Sequence, residues 1–312
     1  MKRRQLQNLL SAIQSAGIFA DLYLKASNAP GTNLTGWSLD DRDPQIIEKL
    51  MPFFGWVYQN YFRVQTDGWE HIPKTGKVLL IGSHNGGLAA PDTVMMTYDW
   101  FRKFGTDRIA YALMEPKIWQ VLPGLARLAT QVGTIHPHPE LAREALRRGA
   151  AVLIYPGGAR DVFRPHSLRN RIYFCGHKGF IKLALLEEVP IIPFISYGAH
   201  STLIVLADIY PQMQQLHQLG MPWLWDIDPG VFPIYLGLPW GIGVGPLPNI
   251  PLPLKLHTRV CPTIVFDRYG KEAARDREYV DRCYRQVCSL MQHELDRLVQ
   301  EEEGSGFKPR CF

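Results

Sequence analysis

The sequence predicts a single-domain α/β protein in which a largely parallel, mixed sheet is flanked by helices. Short apolar runs that fit buried strands alternate with segments whose apolar residues recur at helical spacing. Two of these runs, 78–81 and 151–155, end abruptly in glycine-rich turns. The chain of 312 residues is long enough to bury a large core, and no linker divides it.

The elements follow in chain order. Residues 1–43 are predicted to form an amphipathic helix and a loop, 44–268 the α/β domain, and 269–312 a C-terminal amphipathic helix and tail. Helical spacing in the central part predicts helices at 44–61, 91–104, 139–148 and 180–187. Apolar runs bounded by turn residues predict strands at 62–64, 78–81, 109–113, 131–135, 151–155 and 189–196.

Two apolar segments lie outside this alternation. In the N-terminal helix, apolar residues behind a basic tip are predicted to share one face: Leu6, Leu9, Leu10, Ile13, Gly17 and Phe19. That face fits a helix on a membrane surface or one packed on the domain. The apolar segment 229–253 is punctuated by Pro and Gly, which excludes a regular helix. It is expected to enter a lipid interface, to line an acyl pocket, or to form buried coil.

Composition narrows the function classes. The net charge of +5 is spread along the chain, which allows weak attraction to anionic lipid but does not indicate nucleic-acid binding. The five cysteines are scattered without C-x-x-C spacing, so neither a disulfide framework nor a metal site is predicted. No apolar run reaches the roughly 18 to 20 residues that a spanning helix needs. We therefore expect a cytoplasmic protein.

The loop after the strand at 78–81 carries the strongest candidate for chemistry. It contains His84, Gly86 and Gly87, and Asp92 then falls in the first turn of the next helix. Ligands of open α/β sheets bind beyond the carboxyl ends of the strands, which is where this histidine falls. Histidine is the side chain best suited to take a proton at neutral pH, and a carboxylate behind it orients the ring. Glycines in the loop allow close approach of backbone to a reacting carbonyl.

Two further motifs are predicted to meet the histidine loop at the same sheet edge. The turn after the strand at 151–155 contains Gly157, Gly158, Arg160 and Asp161, with Arg164 shortly beyond. Arginines there are suited to hold a phosphate group of a substrate. The third motif is the segment Val189-Pro-Ile-Ile-Pro-Phe194.

These motifs, in this order, resemble the lysophospholipid, glycerol and diacylglycerol acyltransferase superfamily over residues 45–265. The Gly-Gly-Ala-Arg-Asp turn, the later His-Lys-Gly-Phe and the Pro-Phe-Ile-Ser-Tyr-Gly strand resemble most the diacylglycerol acyltransferase and phytyl ester synthase branch. The family places four residues between its His and Asp, whereas seven separate His84 from Asp92, so the intervening loop must bulge for the two to meet.

The resemblance implies a glycerolipid acyltransferase-like fold and an O-acyltransferase. His84 would be the general base and Asp92 its partner, while substrate would be bound by Gly86, Gly87, Gly157, Gly158, Arg160, Asp161 and Arg164. The donor would be acyl-CoA or acyl carrier protein, with no cofactor or metal. The acceptor would be a lipid hydroxyl, with diacylglycerol or a long-chain alcohol favoured and lysophosphatidic acid also fitting. The protein is expected to sit peripherally or monotopically on the cytoplasmic face of a membrane.

Two other functions fit the same residues. A non-catalytic membrane protein could keep the fold and bind lipid without turnover, and the unusual His84 to Asp92 spacing is the observation that favours it. An acyl thioester hydrolase would release the acyl group to water. The absence of a Gly-x-Ser-x-Gly motif argues against an α/β-hydrolase.

Overall fold

A mainly parallel sheet forms the centre of the structure, a computed structural model that describes residues 2–28, 34–223 and 226–304, with side chains from residue 13 onward. Its strands and those of a second sheet are β1 (Gln65–Asp67), β2 (Val78–Gly82), β3 (Ala110–Leu113), β4 (Thr134–Ile135), β5 (Ala151–Ile154), β6 (Ile191–Tyr197), β7 (Ile204–Asp208), β8 (Pro233–Gly237), β9 (Gly241–Val244) and β10 (His257–Val260).

The helices flank this sheet. They are α1 (Lys2–Asn28), α2 (Pro44–Trp56), α3 (Pro91–Phe104), α4 (Lys117–Val121), α5 (Pro123–Val132), α6 (Pro139–Arg147), α7 (Gly158–Val162), α8 (Gly179–Leu186), α9 (Tyr210–Gln218), α10 (Gly270–Arg275) and α11 (Arg277–Gly304).

The main sheet confirms the predicted fold class. Within the described ranges its order is β1-β10-β6-β2-β5-β3-β4, and β10 with β6 is its one antiparallel pair. All five residues of β2 are buried. Side chains alternate between the two faces of a strand, so Leu79 and Ile81 join a core with α6, α8 and α11. Val78 and Leu80 join the opposite core with α2 and α3.

The segment 229–253 differs from prediction, because much of it is β-structure rather than coil. Strands β8 and β9 form a hairpin that pairs with β7 in a separate antiparallel sheet. Glycine makes this possible: Tyr235 is fully buried, and a Cβ at Gly243 would collide with its ring. The punctuation by Gly that excluded a helix therefore makes room for a buried tyrosine.

Helix α1 packs on the domain through the face that carries Leu22 and Ala26, against Leu50 and Leu128. Phe19 stacks on a ring of α2, whereas Ile13 is exposed, so the prediction of a single apolar face is wrong for these two residues. The predicted positions Leu6, Leu9 and Leu10 lie outside the residues whose side chains are described. Within the described ranges, no helix is long and apolar enough to cross a membrane.

The long C-terminal helix predicted from residue 269 is interrupted. Asp276 separates α10 from α11, and its Oδ1 accepts a hydrogen bond from the amide of Tyr279, 3.0 Å away. An aspartate that accepts from the third residue after it is a typical helix N-cap, so a new helix starts there.

Candidate active site

The histidine loop closes the gap between His84 and Asp92 by a local bulge. Gly86 and Gly87 adopt positive φ angles of 85° and 71°, and a short 3-10 turn follows over Gly87–Ala89. Helix α3 then begins with Asp92 in its first turn. As a result, Nδ1 of His84 lies 3.3 Å from Oδ2 of Asp92. The predicted bulge and the predicted contact are both present.

Asp92 is fully buried and held by its neighbours. Its Oδ1 accepts from the amide of Thr93 at 2.7 Å, and its Oδ2 also accepts from Nδ2 of Asn85 at 3.3 Å. An ionised carboxylate only accepts hydrogen bonds, so the proton of a neutral His84 ring lies on Nδ1 and Nε2 carries the lone pair. The side chain of His84 is 20% exposed. This geometry is that of a general base with an orienting carboxylate.

The His84 ring rests on an aromatic platform. It stacks on Tyr155 with a centroid distance of 4.4 Å, and Tyr155 meets Phe194 edge to face at 5.5 Å. Burial raises the pKa of Tyr155 well above its ordinary value, so its hydroxyl stays protonated. In the sequence, Tyr155 is only the last residue of the predicted strand at 151–155. Its position as the last residue before the glycine turn was the available signal, since strand β5 lies beside β2.

Asp161 and Arg164 fix the backbone of His84. Oδ2 of Asp161 accepts from the His84 amide at 2.6 Å, and Nη1 of Arg164 donates to the His84 carbonyl at 2.8 Å. Arg164 Nη1 also donates to Oδ1 of Asp161 at 2.8 Å, and Nη2 donates to Oδ1 of Asn85 at 2.7 Å. We call Asp161 and Arg164 the loop clamp.

The predicted contact of the loop clamp with substrate is not what the structure shows. All three guanidinium nitrogens of Arg164 donate within the protein, since Nε also bonds the carbonyl of Leu168 and Nη2 that of Arg169. The side chains of Arg164 and Asp161 are 1% and 0% exposed. A substrate phosphate therefore has no free donor on Arg164, and these two residues position the histidine loop instead.

Burial governs the charges in the clamp. It raises the pKa of Asp161 to about 6, although Arg164 and the amide of His84 oppose that shift. Burial likewise lowers the pKa of Arg164, against the attraction of Asp161. His200 lies behind the clamp, with its Nε2 hydrogen-bonded to the Arg164 carbonyl at 2.8 Å. Burial lowers the pKa of His200 well below its ordinary value, so its ring is neutral.

The four predicted glycines have two kinds of surroundings. A Cβ at Gly86 would collide with Pro91 and Thr202, and one at Gly157 would collide with Asp161. Those two glycines permit close packing around the histidine loop. Gly87 and Gly158 line the large cavity described below, and a Cβ at Gly87 would also collide with Leu203 and Asn249. Their predicted contact with substrate remains a prediction.

Arg160 is placed differently from Arg164. It is exposed, and no hydrogen bond or ion pair holds its side chain to any other described residue. It is therefore the arginine of this turn that is free to meet a charged ligand, which also remains a prediction.

His84 opens into a cavity of about 1210 Å³. Pockets for small molecules typically span about 300 to 1,000 Å³, so this one is large. Its walls are mainly apolar and reach from the histidine loop to α1, α2 and α5, where Phe19, Phe54 and Leu128 line it. Such a cavity fits a long hydrocarbon chain. Among the described residues, no group of three or more His, Cys, Asp or Glu side chains could hold a metal ion.

A family model matches the part of the chain that contains this site. Residues 63–197 match the family model described as acyltransferase, a span that includes His84, Asp92 and the loop clamp. An uncharacterized protein of Mycobacterium tuberculosis is 26% identical over 258 residues, which cover 81% of this chain and 66% of that protein. The chain therefore spans just under two thirds of the length of this relative.

Two further similarities concern smaller regions or distant structures. The human "DGAT1/2-independent enzyme synthesizing storage lipids" is 30% identical over 133 residues, 42% of this chain and 39% of that enzyme. A crystal structure of the 1-acyl-sn-glycerophosphate acyltransferase PlsC from Thermotoga maritima covers 92% of this chain and 97% of its own, with 13% identity and a TM-score of 0.44. Residues 63–197 are therefore similar to an acyltransferase domain.

Proposed function

We propose that this protein is an acyltransferase, which moves a fatty acyl group from a thioester donor, acyl-CoA or acyl carrier protein, to the hydroxyl of a lipid. The observation that carries the proposal is the His84–Asp92 pair at 3.3 Å, placed on the wall of a large apolar cavity. A base and a hydrocarbon site are the two features that acylation of a lipid hydroxyl requires.

The proposed reaction uses His84 as general base. Nε2 takes the proton of the acceptor hydroxyl while the oxygen attacks the thioester carbonyl, which forms a tetrahedral intermediate. The carbon–sulfur bond then breaks, and the imidazolium returns the proton to the leaving thiolate. Asp92 stabilises the imidazolium between these steps. Gly87, on the cavity wall, is proposed to bring its backbone close to the developing oxyanion.

We favour an acceptor without a phosphate, such as diacylglycerol or a long-chain alcohol. The walls of the cavity are mainly apolar, and the guanidinium of Arg164 is already fully bonded within the protein. The name of the human relative, which refers to storage lipids, supports the same choice. Lysophosphatidic acid is the alternative acceptor, and exposed Arg160 is the residue we would then expect to contact its phosphate.

We also propose that the enzyme works peripherally on the cytoplasmic face of a membrane. The lipid acceptor has long apolar chains, so it is presented to the enzyme from a bilayer rather than from free solution. No requirement for a metal or cofactor is proposed.

The test is acyl transfer from labelled acyl-CoA and acyl carrier protein to diacylglycerol, long-chain alcohols and lysophosphatidic acid in detergent micelles. The proposal predicts labelled product that depends on the acceptor, largest with a neutral one. Labelled fatty acid released without any acceptor would identify a thioester hydrolase. Lipid binding without turnover of any pair would identify the non-catalytic alternative.

A further inference from the structure

The outer face of the β8–β9 hairpin is an unusual surface. Residues 229–254 contain no Asp, Glu, Lys, Arg or His. Along the hairpin, residues alternate between the inside, where Tyr235 is buried, and the outside. The outward side chains form what we call the hairpin face: Leu236, Leu238, Trp240, Ile242 and Val244.

The hairpin face is one continuous apolar surface. Leu236 and Ile242 are directly opposite each other across the two strands. Ile250 adds to it, since it bridges to Leu238 and is itself about half exposed, at 51%. At the tip, Trp240 is 51% exposed while its indole N–H donates to the carbonyl of Pro248 at 2.7 Å. Contiguous exposed apolar surface of this kind marks a site of interaction with another body.

Cationic residues near the hairpin face indicate that its partner carries negative charge. Lys117 places its ammonium beside Gly230, near the start of the uncharged run. At the other end, exposed Arg63 donates to the carbonyl of Pro253 at 3.0 Å. Neither cation forms an ion pair with any residue in the described parts of the chain. An apolar surface bordered by unpaired cations complements a bilayer with anionic headgroups above its hydrocarbon.

The hairpin face also continues into the cavity. The end of the uncharged run contains Asn249, Ile250 and Pro251. These residues also line the cavity that holds His84. Asn249 connects them further, because its Nδ2 donates to the Gly86 carbonyl and its Oδ1 accepts from the Ala89 amide, at 3.2 and 3.3 Å. A lipid that leaves a bilayer at the hairpin would thus reach the histidine loop over continuous apolar surface.

We propose that the hairpin face docks on an anionic lipid bilayer, with Trp240 at the headgroup level and the side chains around it in the acyl region. The proposal rests on the proposed function for its lipid substrate, and it adds the surface that brings the enzyme to that substrate. Tryptophan is suited to this position, because its ring is apolar while its N–H needs a polar partner.

The test is sedimentation of the full chain with vesicles of phosphatidylcholine and phosphatidylglycerol, without substrate. The variant Trp240→Glu/Ile242→Glu places two charges on the hairpin face, at side chains that are 51% and 69% exposed and so lie outside the buried core. The matched control is Leu219→Glu/Val265→Glu, at positions 85% and 66% exposed elsewhere on the surface. We expect the hairpin variant to bind vesicles at least about tenfold more weakly than wild type, and the control to bind like wild type.

Three outcomes would overturn the proposal. They are wild-type vesicle binding by the hairpin variant, equal loss in both variants, and a loss accompanied by conversion of a wild-type dimer to monomer in gel filtration without vesicles. The last would identify the face as an interface between copies of the chain. Acyl transfer in detergent micelles separates this question from the proposed function: the hairpin variant should keep wild-type activity there. A wild-type chain that binds vesicles through the hairpin but shows no transfer would contradict only the proposed function.

Discussion

The amide N–H of His84 donates to Oδ2 of Asp161, 77 residues later in the chain, at 2.6 Å. Arg164 donates to the carbonyl of the same histidine, so both backbone polar groups of His84 are fixed by one buried ion pair. The strand ends of β2 and β5 are neighbours in the sheet, which explains how distant motifs meet. The position of the proposed base is thus set by two residues whose side chains are fully buried.

Replacing Arg164 with Lys should weaken the hydrogen bonds that hold the His84 backbone while keeping a cation at this position. Lysine keeps the charge, but its single nitrogen cannot serve the six acceptors that the three nitrogens of Arg164 reach, so the His84 carbonyl or Asn85 loses its donor. We expect kcat to fall about 10- to 100-fold with little change in KM, and the free energy of unfolding to drop by about 3 kcal/mol.

The matched control for that experiment is Arg160→Lys, in the same turn but exposed. Urea unfolding should give this control variant the same free energy of unfolding as wild type. A kcat for Arg164→Lys equal to that of wild type would show that the loop clamp does not position His84.

Gly86→Ala should destabilise the histidine loop. Its φ of 85° is unfavourable for alanine, and the added Cβ would collide with Pro91 and Thr202. We expect a loss of about 1 to 3 kcal/mol in the free energy of unfolding and a large loss of kcat. The control is Gly76→Ala, which has a similar φ of 87° but no atom near its Cβ. If the two variants lose equal stability and activity, only backbone strain is involved and close packing at Gly86 is not.

His200 should make stability depend on pH below neutrality. Burial lowers its pKa from the ordinary value of 6.5, so the unfolded chain takes up a proton there before the folded chain does. Folding stability from this residue is therefore present above pH 6.5 and is lost as the pH falls below it. In His200→Gln, urea unfolding at pH 7.5 and 5.5 should differ by about 1 kcal/mol less than in wild type. An unchanged difference would mean that His200 takes up a proton in the fold.

Leu22→Ala tests how firmly α1 is attached. Leu22 is 7% exposed and packs with Leu50 and Leu128, so truncation should cost about 2 to 4 kcal/mol of unfolding free energy. Leu24 on the same helix is 56% exposed, and Leu24→Ala should cost less than about 0.5 kcal/mol. Thermal unfolding compares the two. Equal, small effects would show that α1 contributes little to the folded domain.

The sequence carried more information about the sheet than about side-chain roles. Apolar runs such as Val78–Ile81 can only be buried, and the glycine turn after β5 marked where strands end, so fold class and site position were predictable. The meeting of His84 and Asp92 followed from their motif once the loop bulged. These predictions depend on local sequence patterns and on the order of the motifs along the chain.

What the sequence could not supply depends on contacts between distant segments. Arg164 reads as a free cation in the sequence, but its acceptors are carbonyls and side chains brought together by β2 and β5. The hairpin at 233–244 was hidden because one of its glycines, Gly243, makes room for Tyr235 on the opposite strand. Burial of a charge, or of a ring against glycine, is a tertiary property without a local pattern.

We propose that His84, oriented by Asp92, is the base for acyl transfer. The most direct test compares His84→Ala, Asp92→Asn and the exposed control His217→Ala in a single-turnover assay with the best donor and acceptor of the panel. We predict a loss of about 10² to 10⁴ in rate for the first two, native near-UV circular dichroism for all three, and wild-type rate for the control. Acceptor-dependent transfer at the wild-type rate by folded His84→Ala would show that His84 is not the base.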